Sequence, residues 1–139
     1  MERSIPIETD LGIINGRDGI FLDDVHSDDH NMTFTGDING VKSANHNNAE
    51  KWIPYTLIFH QVLACFSCEL DTYENIGDSS FCDSSDFDFI EESAWLQSLP
   101  IRKDYDKSRY KHYRLSTYDT IYNIIATDYE LKIGRKESV

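Results

Sequence analysis

Only three cysteines occur among the 139 residues. An odd number at irregular spacing excludes the disulfide framework that staples small secreted domains. The three prolines, Pro6, Pro54 and Pro100, are scattered, and no repeat or linker divides the chain, so residues 1–139 are expected to form a single domain. No uncharged apolar run reaches the roughly 18 residues that a membrane-spanning helix needs. The richest stretch, residues 52–63, is broken by Pro54, His60 and Gln61. Residues 1–10 lack the apolar run of a secretory signal, so a soluble cytoplasmic protein is expected.

Cations are also scarce. Lys and Arg total 13 against 25 Asp and Glu, a formal charge of -12. Nucleic acid and anionic membranes are polyanions that such a field repels, so neither is expected as a partner. No Walker A or Gly-x-Gly-x-x-Gly run is present, and the seven glycines are dispersed. No Gly-x-Ser-x-Gly elbow or Ser-x-x-Lys is present either. No cofactor is expected, and an enzyme is the less favoured class.

What is present is enough for a core: 40% hydrophobic and 12% aromatic residues. Residues 1–10 are expected to be loosely held. Asn15-Gly16 is a two-residue turn signal that predicts a hairpin between residues 11–14 and 19–22. A second hairpin is predicted from Ile20 to Val25 and from Met32 to Thr35, with its tip at Asp28-Asp29. Residues 36–50 are almost devoid of apolar side chains and are expected to be a mobile surface loop. Residues 52–69 are apolar on both parities, as in a central strand covered on each side, though a strand that long needs a bend.

A main helix is predicted over residues 86–99, with Ser85 as its cap, Asp88 as the acid three positions on, and Pro100 as its stop. Residues 101–109 read as a basic loop, and residues 110–118, 121–126 and 129–133 as strands. Residues 118–126 also fit helical spacing, but Tyr, Ile and Thr dominate and favour a strand. The expected fold is α+β: an antiparallel sheet of about five to seven strands with one main helix packed on a face.

Two clusters stand out as sites. His26, Asp28 and His30 share a parity, and with Asp29 they supply imidazole and carboxylate groups suited to zinc or another divalent ion. A solvated turn demands the same short polar residues and is the preferred reading. Cys65-x-x-Cys68 matches a redox or zinc half-site, yet strand residues three apart lie roughly 10 Å from each other on opposite faces. Buried structural thiols are therefore expected. His60 is expected to be a hydrogen-bonded core or edge histidine rather than a general base.

The charge is unevenly placed. Residues 1–100 hold 4 basic and 19 acidic residues, a balance of -15, and residues 101–139 hold 9 and 6, a balance of +3. Glu69, Asp71, Glu74, Asp78, Asp83, Asp86, Asp88, Glu91 and Glu92 follow one another with no cation between them. Such a run either serves solubility or forms an electronegative surface for a basic protein partner. The basic run from Arg102 to Arg114, interleaved with Tyr105, Tyr110 and Tyr113, is expected to neutralise acids within the fold or at a subunit contact.

Residues 58–62 (IFHQV), 79–81 (SSF), 93–96 (SAWL) and 112–119 (HYRLSTYD) carry a resemblance to small bacterial sheet-rich proteins, some of them similar to immunity proteins of polymorphic toxin systems. It spans roughly residues 19–133 and holds no motif that transfers a functional residue. It implies a cytoplasmic binder that neutralises a cognate toxin. The leading expectation is thus a non-enzymatic protein-binding domain that uses the acidic surface from Glu69 to Glu92. The alternatives are a metal-binding protein or metal-dependent hydrolase built on His26, Asp28 and His30, and a homo-oligomeric structural domain.

Overall fold

Alternation of apolar and polar side chains, rather than helical spacing, governs most of the chain. The computed structural model describes residues 2–42, 51–74 and 85–134. Nine strands are present among them: β1 (Arg3–Pro6), β2 (Ile20–Ser27), β3 (Met32–Asn39), β4 (Trp52–His60), β5 (Ala64–Glu69), β6 (Phe87–Glu91), β7 (Lys111–Ser116), β8 (Thr120–Ala126) and β9 (Asp128–Ile133). Two short helices, α1 (Leu70–Glu74) and α2 (Ala94–Ser98), follow β5 and β6. The strands form two antiparallel sheets, ordered β1-β6-β7-β8-β5 and β2-β3-β4-β9. The expected α+β sheet with one main helix is therefore corrected to a two-sheet, almost all-β architecture.

The inner faces of the sheets meet in an aromatic core. Phe34 and Phe59 of the four-stranded sheet are fully buried. Phe34 packs edge-on against Tyr122, with 5.0 Å between ring centroids, and Phe59 lies 5.4 Å from Tyr113. Leu57, Ile38, Leu115 and Ile124 fill the space around them. At roughly 1.5–3 kcal/mol for each large apolar side chain withdrawn from water, this layer is the main stabilising element of the fold.

The apolar run 52–69 is two strands in different sheets. Gln61, with φ 53, marks the bend between β4 and β5. The partner run bends beside it: β8 pairs with β5 and β9 with β4, while the Thr127 N–H and hydroxyl both donate to the His60 carbonyl at the corner. One antiparallel ribbon thus passes through both sheets, which is why both parities of residues 52–69 are apolar in sequence. The expected bend is present, and residues 120–126 form a strand, as β-branched and aromatic content favours.

The predicted helix 86–99 is the largest departure. Ser85 and Asp88 do make the expected capping contact, with Ser85 N–H and Oγ donating to Asp88 Oδ1 at 3.0 and 2.7 Å. The chain after it is nevertheless β6, because two flanking strands satisfy its backbone and Phe87 and Phe89 reach the aromatic core on one parity. Helix begins only at Ala94 and lasts five residues. Tertiary pairing outweighs a spacing that suits either structure.

Other boundaries also shift. Residues 3–6 are held as β1 against β6. The hairpin at Asn15-Gly16 is not formed: Ile14 accepts a hydrogen bond from Asp86 N–H, and β2 pairs with β3 at the edge of its sheet. The second hairpin is present, with β2 and β3 in register from Ile20–Ile38 to Ser27–Met32. Of the loop expected over residues 36–50, residues 36–39 complete β3, residues 40–42 form a 3-10 turn, and residues 43–50 lie outside the described residues.

Candidate functional site

The sequence-predicted sites are dispersed by the fold. His26, Asp28 and His30 sit at the β2–β3 tip, all exposed. The Asp28 carboxylate accepts the backbone N–H groups of His30 (2.8 Å) and Asn31 (2.7 Å), and these bonds lower its pKa. Asp28 is thus engaged in closing the turn. Among the described residues, no three His, Cys, Asp or Glu side chains are placed to hold a metal ion.

The acidic run is likewise not one surface. Asp86 and Asp88 are buried, so neither can meet a partner. Glu69 caps α1 through the N–H groups of Asp71 and Thr72, Asp71 pairs with Arg17, and Glu91 pairs with Arg3. Glu92 is a left-handed residue, with φ 56, at the end of β6. Asp78 and Asp83 lie outside the described residues, as does the side chain of Glu74. Burial explains the correction at Asp88: it sits opposite Arg114 on the neighbouring strand, and the two charges compensate each other away from water.

Within the basic run, Arg102 and Lys107 are engaged with neighbouring groups of the chain. Arg102 makes two contacts with Asp104, at 2.8 and 3.0 Å, and Lys107 Nζ donates to the carbonyl of Gln97 in α2. His60 lies at the sheet surface, its Nε2 3.9 Å from Glu130 Oε2. Cys65 and Cys68 are free thiols on β5, and Cys65 is exposed rather than buried. Partial shielding raises the Cys65 pKa, away from a reactive thiolate. Cys82 lies outside the described residues.

Two arrangements that the sequence did not announce are assembled instead. One is an aromatic surface cluster. Phe21 on β2 stacks on Tyr118 from the β7–β8 turn at 5.2 Å and meets Trp52 at the start of β4 edge-on at 5.0 Å. Trp52 and Tyr118 remain 48% and 43% exposed, so the rings are gathered without being absorbed into the core. Arg17 lies over Tyr118 and Lys51 over Trp52, and Arg17 also contacts Asp71 and Asp119. The result is an apolar centre with a rim of both charge signs.

The other is a chain of polar side chains on the outer face of the five-stranded sheet. Ser93 Oγ lies 2.7 Å from His112 Nδ1, and His112 Nε2 lies 2.8 Å from Asn123 Oδ1. Asn123 Nδ2 donates in turn to the Tyr73 hydroxyl at 3.4 Å. Ser93, His112 and Asn123 are all buried, and Trp95 meets the His112 ring edge-on. Desolvation lowers the His112 pKa, partly opposed by the bond to Asn123 and by the Glu2 carboxylate, so the imidazole is neutral at pH 7. A cleft of about 210 Å³ opens beside it, with Leu96, Tyr110 and Lys111 among its walls.

Neither cluster has a sequence signature, because its members come from segments far apart in the chain. Among known proteins, no family model, no curated sequence and no solved structure matches the chain. No helix among the described residues is long and apolar enough to cross a membrane.

Proposed function

We propose that this chain is a protein-binding domain whose docking surface is the Phe21–Trp52–Tyr118 cluster. The observation that carries this reading is the stacking of three rings from three separate segments at the surface, two of them nearly half exposed. Ordering bulky aromatics in contact with water gives the isolated fold little, whereas burying them against a partner supplies the concentrated anchor energy of an interface. The mixed rim of Arg17, Lys51, Asp71 and Asp119 suits the polar border of such a surface. The net charge of -12 favours a partner of net positive charge through long-range attraction. Within this class, a basic toxin neutralised by its inhibitor is the case the charge suits best. The acidic residues then steer association from a distance rather than forming the contact.

The test is capture from native lysate by the wild type and by Trp52→Ala/Tyr118→Ala, in low and high salt. The proposal expects a basic protein retained by the wild type, weakened by salt and lost in the double variant, with Tm unchanged within a few degrees. Equal capture by both proteins would sink the assignment of the surface, and a salt-independent dimer seen by light scattering would replace the partner with a second copy of the chain.

A further inference from the structure

We propose that Ser93, His112 and Asn123 form an acyl-transfer site opening on the adjacent cleft, with a small carboxylic ester as the class of substrate. The first support is geometric. Nucleophile to base and base to orienting group are 2.7 and 2.8 Å apart, within the hydrogen-bond reach that such a relay requires. The second is the tautomer. Asn123 Oδ1 can only accept, so His112 carries its proton on Nε2, and Nδ1 is left to accept the Ser93 hydroxyl proton. This is the arrangement a general base needs, with the ring turned so that Nδ1 rather than Nε2 faces the serine.

The third support is the backbone. Ser93 stands between β6 and α2, directly after Glu92, whose φ of 56 is unusual for a residue with a side chain. The left-handed Glu92 turns the chain out of β6 just before Ser93. Ser93 itself has φ -59 and ψ 120 and caps α2 by accepting the Leu96 N–H at 3.1 Å, with no flanking glycine of the kind the nucleophile-elbow motif has. The fourth is access. Ser93 and His112 both line the cleft, which is about 210 Å³ in volume and therefore small for a large ligand. The lowered basicity of the imidazole keeps it unprotonated at neutral pH, as the role demands.

In the reaction, Ser93 Oγ attacks the ester carbonyl carbon as its proton passes to His112 Nδ1, forming the carbon–Oγ bond. The imidazolium then gives that proton to the departing alkoxide as the ester carbon–oxygen bond breaks, releasing an alcohol. Water repeats the sequence on the acyl-serine, yielding the carboxylic acid and restoring Ser93. No redox agent takes part. Asn123 acts through the histidine and is a positioning residue.

The experiment is labelling of the folded full-length chain with a fluorophosphonate, read by peptide mass spectrometry. The expected result is stoichiometric modification of Ser93, with a rate that rises with pH through the His112 titration. His112→Gln should slow labelling by about 10²-fold or more. Ser93→Asn, which keeps a side-chain oxygen for the α2 cap, should fold and remain unlabelled. No modification of Ser93 in the wild type, or an unchanged rate in folded His112→Gln, overturns the proposal. If the variants fail to fold, nitrogen-15 NMR of wild-type His112 decides: an unprotonated Nδ1 supports the relay and a protonated Nδ1 excludes it. Capture of a partner through Trp52 is independent of either result.

Discussion

Arg114 and Asp88 stand opposite each other on neighbouring strands β7 and β6, guanidinium to carboxylate at 3.4 Å, with both side chains withdrawn from solvent. Asp88 also accepts both donors of Ser85, and Arg114 reaches Ser4 on β1. A pair so placed joins β1, β6 and β7 across the outer face of one sheet. Arg114→Met leaves the carboxylate buried without its cation and is expected to cost roughly 3–5 kcal/mol. The double variant Arg114→Met/Asp88→Leu should recover part of that loss. Urea denaturation of the four proteins in the cycle measures the coupling, and a cost below about 1 kcal/mol for the single change would refute it.

At Gly36 the register between β2 and β3 slips at Leu22/Asp24, and the β2 backbone closes on β3 so that an added Cβ would run into the Phe21 carbonyl. Gly36→Ala should therefore lower stability by about 1–3 kcal/mol, the usual cost of overpacking. Gly134, with open space around it, offers a comparison: its φ of 111 strains any side chain, but no neighbour must move. A Tm that falls further for Gly36→Ala than for Gly134→Ala is the expected outcome.

Asp86 is buried, and its pKa is pushed up to about 8 by desolvation and by the nearby Asp88 and Asp18 charges, against a lowering hydrogen bond from Gly16 N–H. The unfolded chain loses this proton near the ordinary value of 3.8. Between that value and about pH 8 the native state binds more protons, so this group's contribution to stability falls as pH rises and is fully lost above pH 8. Asp86→Asn keeps an acceptor for Gly16 and removes the titration. It should be more stable than the wild type at pH 8 by roughly 2–5 kcal/mol, with the difference shrinking as pH falls from about 8 towards 3.8. Thermal melts of the two proteins across that range provide the measurement, and parallel pH profiles would rule the effect out.

Much of the strand content was legible because it rests on local chemistry. Residues 20–27 and 32–35 alternate around a polar tip, and Asp28 closes that tip through its own side chain. Residues 111–116 and 120–126 are rich in aromatic and β-branched side chains that suit a pleated surface. The region 86–99 was misleading for an equally physical reason. Ser85 and Asp88 make a contact that opens helices, and Phe87, Ile90 and Ala94 can line a helical stripe, yet the same residues satisfy a strand once β1 and β7 lie on either side. The binding surface and the Ser93–His112–Asn123 chain were illegible because each gathers residues separated by whole strands.

The sequence by itself determined the composition of the layers: a charge of -12, an aromatic-rich core and a polar tip at Asp28 all follow from residue chemistry and short-range spacing. Only the tertiary structure decided that the run of acids is not one surface. Burying Asp88 against Arg114, spending Glu69 on a helix cap and pairing Glu91 with Arg3 are choices set by which strands become neighbours. Charges adjacent in the chain interact with whatever the fold places beside them, and their energies depend on burial and partner distance, which no linear spacing encodes.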